Sequence, residues 1–575
     1  MPTQGDVIVR RERGRYLYLK GNHFEDKQYI VLLNGDLYAS EFNGATDIET
    51  LIRGYKKCGD DFPHKIEGDF SFILYDKAND EVIAGRDKFG VKSLFYYKDE
   101  MMLALSSTTA SLFECLPIKK EPNLSKNILY VGSHYRHFDA IREDTFFENI
   151  KAIRQAHIIK CKNGNLAEHP YWTIELLNLE GKTQHELGEE YLSLLTESIE
   201  KRLSKSNNPA FMVSSGMDSS SIAALSSRLR GERVPIFTTV FQETTEYNEA
   251  DEVVPVVTKF GKEWHRVSVE PERLIQDLNE ILKLANEPFY TVTQMMHYYL
   301  TREVKARGFD TLFGGIGGDE ANCGEIEEYL FFFADLKYGN NEERLRKEIN
   351  GWIKNHSHPL YPKSYEIAHD YFVKHINFNQ PGVNYLDKER FGKYLGVFRR
   401  DFLEAHLCAP ILDHPFPSYL LNKLYQDLYY EIIPCVLKAE EFNLKRFKVQ
   451  GRMPYLDGMV MQYGFSIPVE MKYSAGANKA VLRAAMKGIL PDETIENLQK
   501  KGWNAPFNEW LKIHLKESIM KLLENPSKRQ QAIYNIEDIR ALFSEHLRGT
   551  ANHMMFFWQF LNYETWYGIH FGEDI

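Results

Sequence analysis

The period of the apolar positions changes near residue 185. Before it, residues 28–33 (QYIVLL) lead into Asn34-Gly35-Asp36, and residues 68–76 (GDFSFILYD), which alternate apolar with small side chains, lead into Lys77-Ala78-Asn79-Asp80. Such runs predict strands, and both polar clusters read as turns, since Asn, Asp and Gly tolerate the backbone angles a turn needs. A strand at 81–85 and the apolar Leu94-Phe95-Tyr96-Tyr97 flank Arg86-Asp87-Lys88-Phe89-Gly90, and one amphipathic stretch covers 47–55. Short strands and turns with one helix predict an α+β domain on antiparallel sheets, over residues 1–185.

From Leu187 the spacing becomes helical. Leu187, Tyr191, Leu194, Leu195, Ile199 and Leu203 fall at intervals of three and four, one face of a long helix. Beyond it, apolar runs at 210–213, 234–241, 265–269 and 309–313 alternate with helical stretches at 220–229 and 249–260. Strand and helix in alternation predict a parallel sheet, so residues 186–575 read as an α/β domain. Residues 325–440, rich in aromatic and charged side chains, read as largely helical, with no internal repeat or low-complexity segment.

Length and composition narrow the class. With 575 residues, 43% apolar, 26% charged and 13% aromatic, the chain has material for more than one globular core. A formal charge of -11 with no long basic tract gives no footprint for a phosphate backbone, so nucleic acid is not expected as a partner. The six cysteines, at 58, 115, 161, 323, 408 and 435, form no CxxC, which argues against a zinc site and a disulfide framework. No run approaches the length of a membrane span, and MPTQGDVIVRRERGRY lacks the apolar core of a signal peptide. The expectation is a cytoplasmic protein with no membrane partner.

Two loops carry the candidate chemistry. Residues 211–220 (FMVSSGMDSS) run from a strand through small side chains into a helix, where backbone N–H groups and the helix dipole can hold an anion. An ordinary strand-to-helix turn capped by Asp218 or Ser219 would look the same. Residues 313–320 (FGGIGGDE) are a second strand end, with four glycines followed by acids. In a parallel sheet, ligands sit beyond the C-terminal strand ends, where both loops fall. Asp218 and Asp319 could then share a Mg2+ that bridges phosphate oxygens.

These segments resemble the asparagine synthetase family. Ser214-Ser215-Gly216-Met217-Asp218-Ser219-Ser220 is similar to its pyrophosphatase-type loop, and Gly314-Gly315-Ile316-Gly317-Gly318-Asp319-Glu320 to its second loop. Asn286-Glu287-Pro288, Gly451-Arg452-Met453-Pro454-Tyr455-Leu456-Asp457, Ser466-Ile467-Pro468 and residues 479–491 (KAVLRAAMKGILP) follow in the family's order. Residues 34–38, 68–76 and 86–97 resemble the glutaminase half of the same family. The resemblance implies a degenerate, inactive Ntn-amidotransferase-like α+β domain, followed by an α/β synthetase domain of the PP-loop (adenine nucleotide alpha hydrolase-like) type. It implies ATP and Mg2+, with the nucleotide on Ser214, Ser215, Gly216, Met217, Asp218, Ser219, Ser220, Val240, Gly314, Gly315, Ile316 and Gly317, and the metal on Asp218 and Asp319.

The pattern breaks in two places. Glutamine-using members carry a cysteine after the initiator Met, whereas this sequence has Pro2, which offers neither a side-chain nucleophile nor a primary amine. Asn34, Asp36 and Asp47 match glutamine-binding positions but, without that nucleophile, read as holding turns. The family's loop glutamate is replaced by Ile316, which removes a partner for aspartate. Both departures resemble β-lactam synthetases and lasso peptide cyclases, whose amine belongs to the substrate. The implied reaction is adenylation of a carboxylate with release of pyrophosphate, then closure of an intramolecular amide, most of all a lasso-type macrolactam. The aromatic-rich 325–435 would hold the peptide, and a leader peptidase or leader-binding protein would be its helper. A β-lactam synthetase acting on a small β-amino acid and an ammonia-dependent asparagine synthetase are the alternatives. For the acyl-transfer step the resemblance places Lys500, with Lys501 as substitute, over the α-phosphate, and Glu441 or its neighbour Glu440 as proton acceptor.

Overall fold

The computed structural model describes residues 8–12, 15–20, 23–100, 102–134, 137, 139–241, 247–355, 363–499 and 505–572. The N-terminal part is built on two antiparallel sheets. One has the order Arg15–Lys20, Ile8–Glu12, Leu103–Ser106, Phe95–Lys98, Ile150–Ala152. The other has the order Asn165–Pro170, His157–Lys162, Glu81–Arg86, Ile66–Asp76, Tyr29–Ser40, Phe24–Glu25. Side chains alternate across a strand, and here both faces are covered. Ile30, Leu32, Ile73 and Val82 pack with Leu103 and Leu105 of the other sheet. Tyr29, Val31, Phe72 and Ile83 pack on the opposite side with Leu51 and Ile52 of the helix Asp47–Cys58. Burial on both faces explains why these strands read as nearly continuous apolar runs.

Asn34-Gly35-Asp36 is not a turn. Tyr29–Ser40 runs through it, pairing Asn34 with Ser71, Gly35 with Phe70 and Asp36 with Asp69. Gly35 has φ of 109°, and a Cβ there would overlap the Asp69 carbonyl oxygen. The glycine absorbs a kink inside a paired strand, because the long partner Ile66–Asp76 supplies hydrogen bonds on both sides of it.

The second part opens with the helix Gln184–Ser204, started by a capping box between Thr183 and Glu186 and burying Leu187, Tyr191, Leu195 and Ile199. A parallel sheet follows, in the order Gly261–Ser268, Val234–Val240, Pro209–Met212, Thr311–Phe313, Gln450–Arg452. Strand order reverses beside Pro209–Met212, so the loops after Met212 and Phe313 leave from neighbouring central strands. Between the last two strands the chain is mostly helical. Its aromatic residues, Tyr329, Phe332, Phe333, Trp352 and Tyr419 among them, are buried in the core. These rings fill the space between helices.

Charged pairs join the two parts. Arg202 reaches Asp69 at 3.3 Å and Asp457 at 3.4 Å, with its guanidinium over the Tyr38 ring. Arg452 pairs with Asp36 at 2.9 Å, and Lys205 with Asp47 at 2.9 Å.

Candidate functional site

The strand Pro209–Met212 ends in Val213-Ser214-Ser215, and the helix Met217–Arg230 begins after Gly216 with no side-chain cap. The turn is tightened from within. Ser214 N–H donates to Ser219 Oγ at 3.0 Å, and Gly216 N–H to Ser214 Oγ at 3.3 Å. Ser215 N–H donates to the Glu249 carboxylate at 2.7 Å, so the loop already binds an anionic group.

This loop lines an open cleft of about 220 Å³. Ser214, Ser215, Gly216, Met217, Asp218 and Ser219 form one wall, Gly315, Ile316 and Asp319 a second, and Asn478, Lys479 and Arg483 a third. The two aspartates are brought together by Lys479. Its ammonium contacts Asp218 Oδ2 and lies 2.6 Å from Asp319 Oδ1. Glycines make the room: a Cβ on Gly318 or on Gly324 would come within 2.5 Å of the Asp218 or Asp319 carboxyl carbon, respectively. Lys479 itself has φ of 54°, a left-handed backbone that non-glycine residues seldom adopt and that tends to occur at functional positions. Burial lowers the basicity of Arg483, which is anchored to the Asn478 carbonyl at 2.9 Å. Burial raises the Glu320 carboxyl well above its usual range, and Asp319 and Asp427 push it further the same way.

Two carboxylates converging on one cation-sized position fit a hard divalent ion that completes its shell with phosphate oxygens and water. Among the described residues no group of three or more His, Cys, Asp or Glu could hold a metal unaided. A smaller cavity of about 20 Å³ adjoins the phosphate loop, lined by Val213, Thr238, Thr239, Phe241, Tyr247 and Met296.

The sequence-based assignments divide in three. Ser214 to Ser219, Gly315, Ile316 and Asp319 line the cleft. Ser220, Gly314, Gly317 and Val240 do not: Ser220 is buried behind the loop, Gly314 N–H is bonded to the Arg452 carbonyl, and Gly317 packs on Leu456. Val240 ends its strand between Thr239 and Phe241, which face the smaller cavity. Lys500 and Lys501 lie outside the described residues, and Asn497, Leu498 and Gln499 before them line the cleft.

Glu441 is a correction. It turns away from the cleft, accepts the Ser93 N–H at 3.0 Å and pairs with Lys445 at 2.9 Å. Burial raises its carboxyl, but Lys445 and Lys92 hold it below its ordinary value. It therefore serves as a charged contact between the two parts. Its neighbour Glu440 points the other way, to His297 Nδ1 at 2.8 Å, and His297 lines the cleft. Sequence reading missed Glu249, His297, Lys479 and Arg483. For the last two a signal existed, since they are the Lys and Arg of Lys479-Ala480-Val481-Leu482-Arg483. For His297 there was none.

Comparison with known proteins agrees with this layout. A family model described as Asparagine synthase matches residues 190–568, and one described as Glutamine amidotransferase domain matches residues 21–172. The curated protein Amidase chry2 of Gibberella zeae is 24% identical over 85% of this chain and 78% of its own length. Amidase chyE of Penicillium rubens is 24% identical over 86% of the chain and 80% of its own. Asparagine synthetase [glutamine-hydrolyzing] 1 of Bacillus subtilis is 22% identical over 95% of the chain and 86% of its own. An N-terminal Ntn-amidotransferase-like domain, a larger parallel-sheet domain and an anion-binding loop at that sheet's carboxyl edge thus come together in one chain, which belongs to the asparagine synthase family of ATP-dependent carbon–nitrogen ligases, enzymes that form AMP and pyrophosphate.

Proposed function

We propose that this ligase adenylates a substrate carboxylate and closes an amide with an amine of the same substrate, with a peptide macrolactam as the expected product. The observation that carries this reading is the use made of the N-terminal acids. Asp36 and Asp47, which match glutamine-binding positions, are engaged by Arg452 and Lys205 of the synthetase part. The first domain acts as a structural partner, and the nitrogen arrives with the substrate. Ile316 in the cleft wall gives an amino-acid side chain no charge to meet, and the open side of the cleft admits a longer substrate.

The chain's own groups account for the first step. Amides of the loop 214–219 and the dipole of the helix Met217–Arg230 hold the phosphates, and Glu249 yields the Ser215 amide to them. Asp218 and Asp319 would hold Mg2+, whose charge offsets that of the departing pyrophosphate. Lys479, released from the two carboxylates, moves to a phosphate oxygen, and Lys500 neutralises the oxyanion of the acyl step.

The test is mass spectrometry of candidate substrates incubated with enzyme and Mg-ATP, with pyrophosphate measured in parallel. Loss of one water from a peptide supports the reading. Loss of one water from a small β-amino acid, or product from aspartate plus ammonium alone, replaces it with the corresponding alternative.

A further inference from the structure

Amide formation releases a proton, and a histidine of the cleft wall is already paired with a buried carboxylate behind it. His297 stands on the helix Val292–Ala306, and Glu440 on the helix Ile432–Phe447, which packs against it. Both are nearly inaccessible, at 6% and 1% exposure, yet the imidazole forms part of the cleft wall that also includes Asp218, Ile316 and Asp319. Glu440 Oε2 lies 2.8 Å from His297 Nδ1. A carboxylate can only accept, so where Glu440 meets a neutral imidazole as a carboxylate, Nδ1 carries the proton of this bond and Nε2 the lone pair. Glu440 Oε1 has no hydrogen-bond partner among the described residues. A buried carboxylate with one oxygen on a histidine retains capacity to stabilise that histidine as a cation.

From this pairing we infer that His297 is the base of the acyl-transfer step and Glu440 its positioning residue. The inference rests on the ligase reading above and adds the proton's destination. The amine nitrogen bonds to the acyl carbon, the bond from that carbon to the AMP oxygen breaks, and AMP leaves with the electron pair. The nitrogen's extra proton passes to His297 Nε2, the imidazolium is held by Glu440, and the proton then leaves to water. The nucleophile class follows: a basic amine that is protonated at neutral pH needs such an acceptor, whereas a weakly basic nucleophile does not.

Two measurements on the full chain decide it. In the 15N spectrum of histidine-labelled enzyme, the signals lost in His297→Gln identify the ring, and the neutral tautomer should carry its proton on Nδ1. A proton on Nε2 overturns the inference. With a carboxylate found to release pyrophosphate, His297→Gln should lower amide formation about 10²–10⁴-fold while pyrophosphate release and hydroxamate formation with hydroxylamine stay near wild type. Glu440→Gln should show a smaller loss of the same kind. Amide formation within a few-fold of wild type refutes the role, and so does equal loss of the amide and hydroxamate products, which would mark a structural residue. If no carboxylate yields pyrophosphate with the wild-type enzyme, the ligase substrate assignment falls, and the tautomer measurement still judges the pair.

Discussion

Replacing Lys479 with methionine leaves the shape of the cleft nearly intact and removes a charge that Asp218 and Asp319 share. Both carboxylates bond the same nitrogen, so their facing oxygens lie at most about 5 Å apart. Two unit charges at that distance repel by about 3 kcal/mol at an effective dielectric constant of 20. Asp218 and Asp319 are 13% and 25% exposed, so water screens part of this, and a net loss of about 2 kcal/mol is expected. In a domain of about 390 residues that is a fall in melting temperature of about 2 °C. The assay is thermal unfolding of Lys479→Met and wild type, without nucleotide, with and without millimolar Mg2+. A divalent ion can take the vacated position, so Mg2+ should restore the variant's melting temperature and barely move that of the wild type. A variant that melts with wild type and ignores Mg2+ would show that the two carboxylates do not share one field, and the metal assignment would go with it.

Asp319→Asn should abolish pyrophosphate release while leaving the circular dichroism spectrum unchanged, and full retained activity would remove Asp319 from the site. Arg202→Met strands two buried carboxylates, Asp69 and Asp457, and should cost about 3–5 kcal/mol, read as a lower urea midpoint; an unchanged midpoint would show that the junction does not depend on this residue. Burial pushes His137 down from 6.5 to about 4. Between those values the unfolded chain binds a proton that the folded chain does not, so this group makes stability rise with pH, by about 3 kcal/mol across the window. His137→Gln should flatten that slope relative to wild type, in urea titrations run from pH 4 to 7, and parallel slopes would refute the assignment.

The sequence by itself determined the order and kind of the elements and the position of both loops. Alternation of apolar runs with helical spacing is a local property, and it located the helix that became Gln184–Ser204 and the strands Val234–Val240 and Thr311–Phe313. Small residues after an apolar run fixed where an anion can sit, because backbone amides need no distant partner to form such a turn. The folded state decided everything that depends on a partner far along the chain. Asn34-Gly35-Asp36 became a kinked strand because Ile66–Asp76 lies beside it. Asp218 and Asp319 met through Lys479, some 260 and 160 residues away in sequence, which no spacing rule encodes. Glu440 and Glu441 show the limit most clearly. Successive residues of a helix point about 100° apart. A one-residue choice therefore decides between the cleft and the domain junction, and only the way Ile432–Phe447 packs against Val292–Ala306 and the loop at Ser93 sets that rotation.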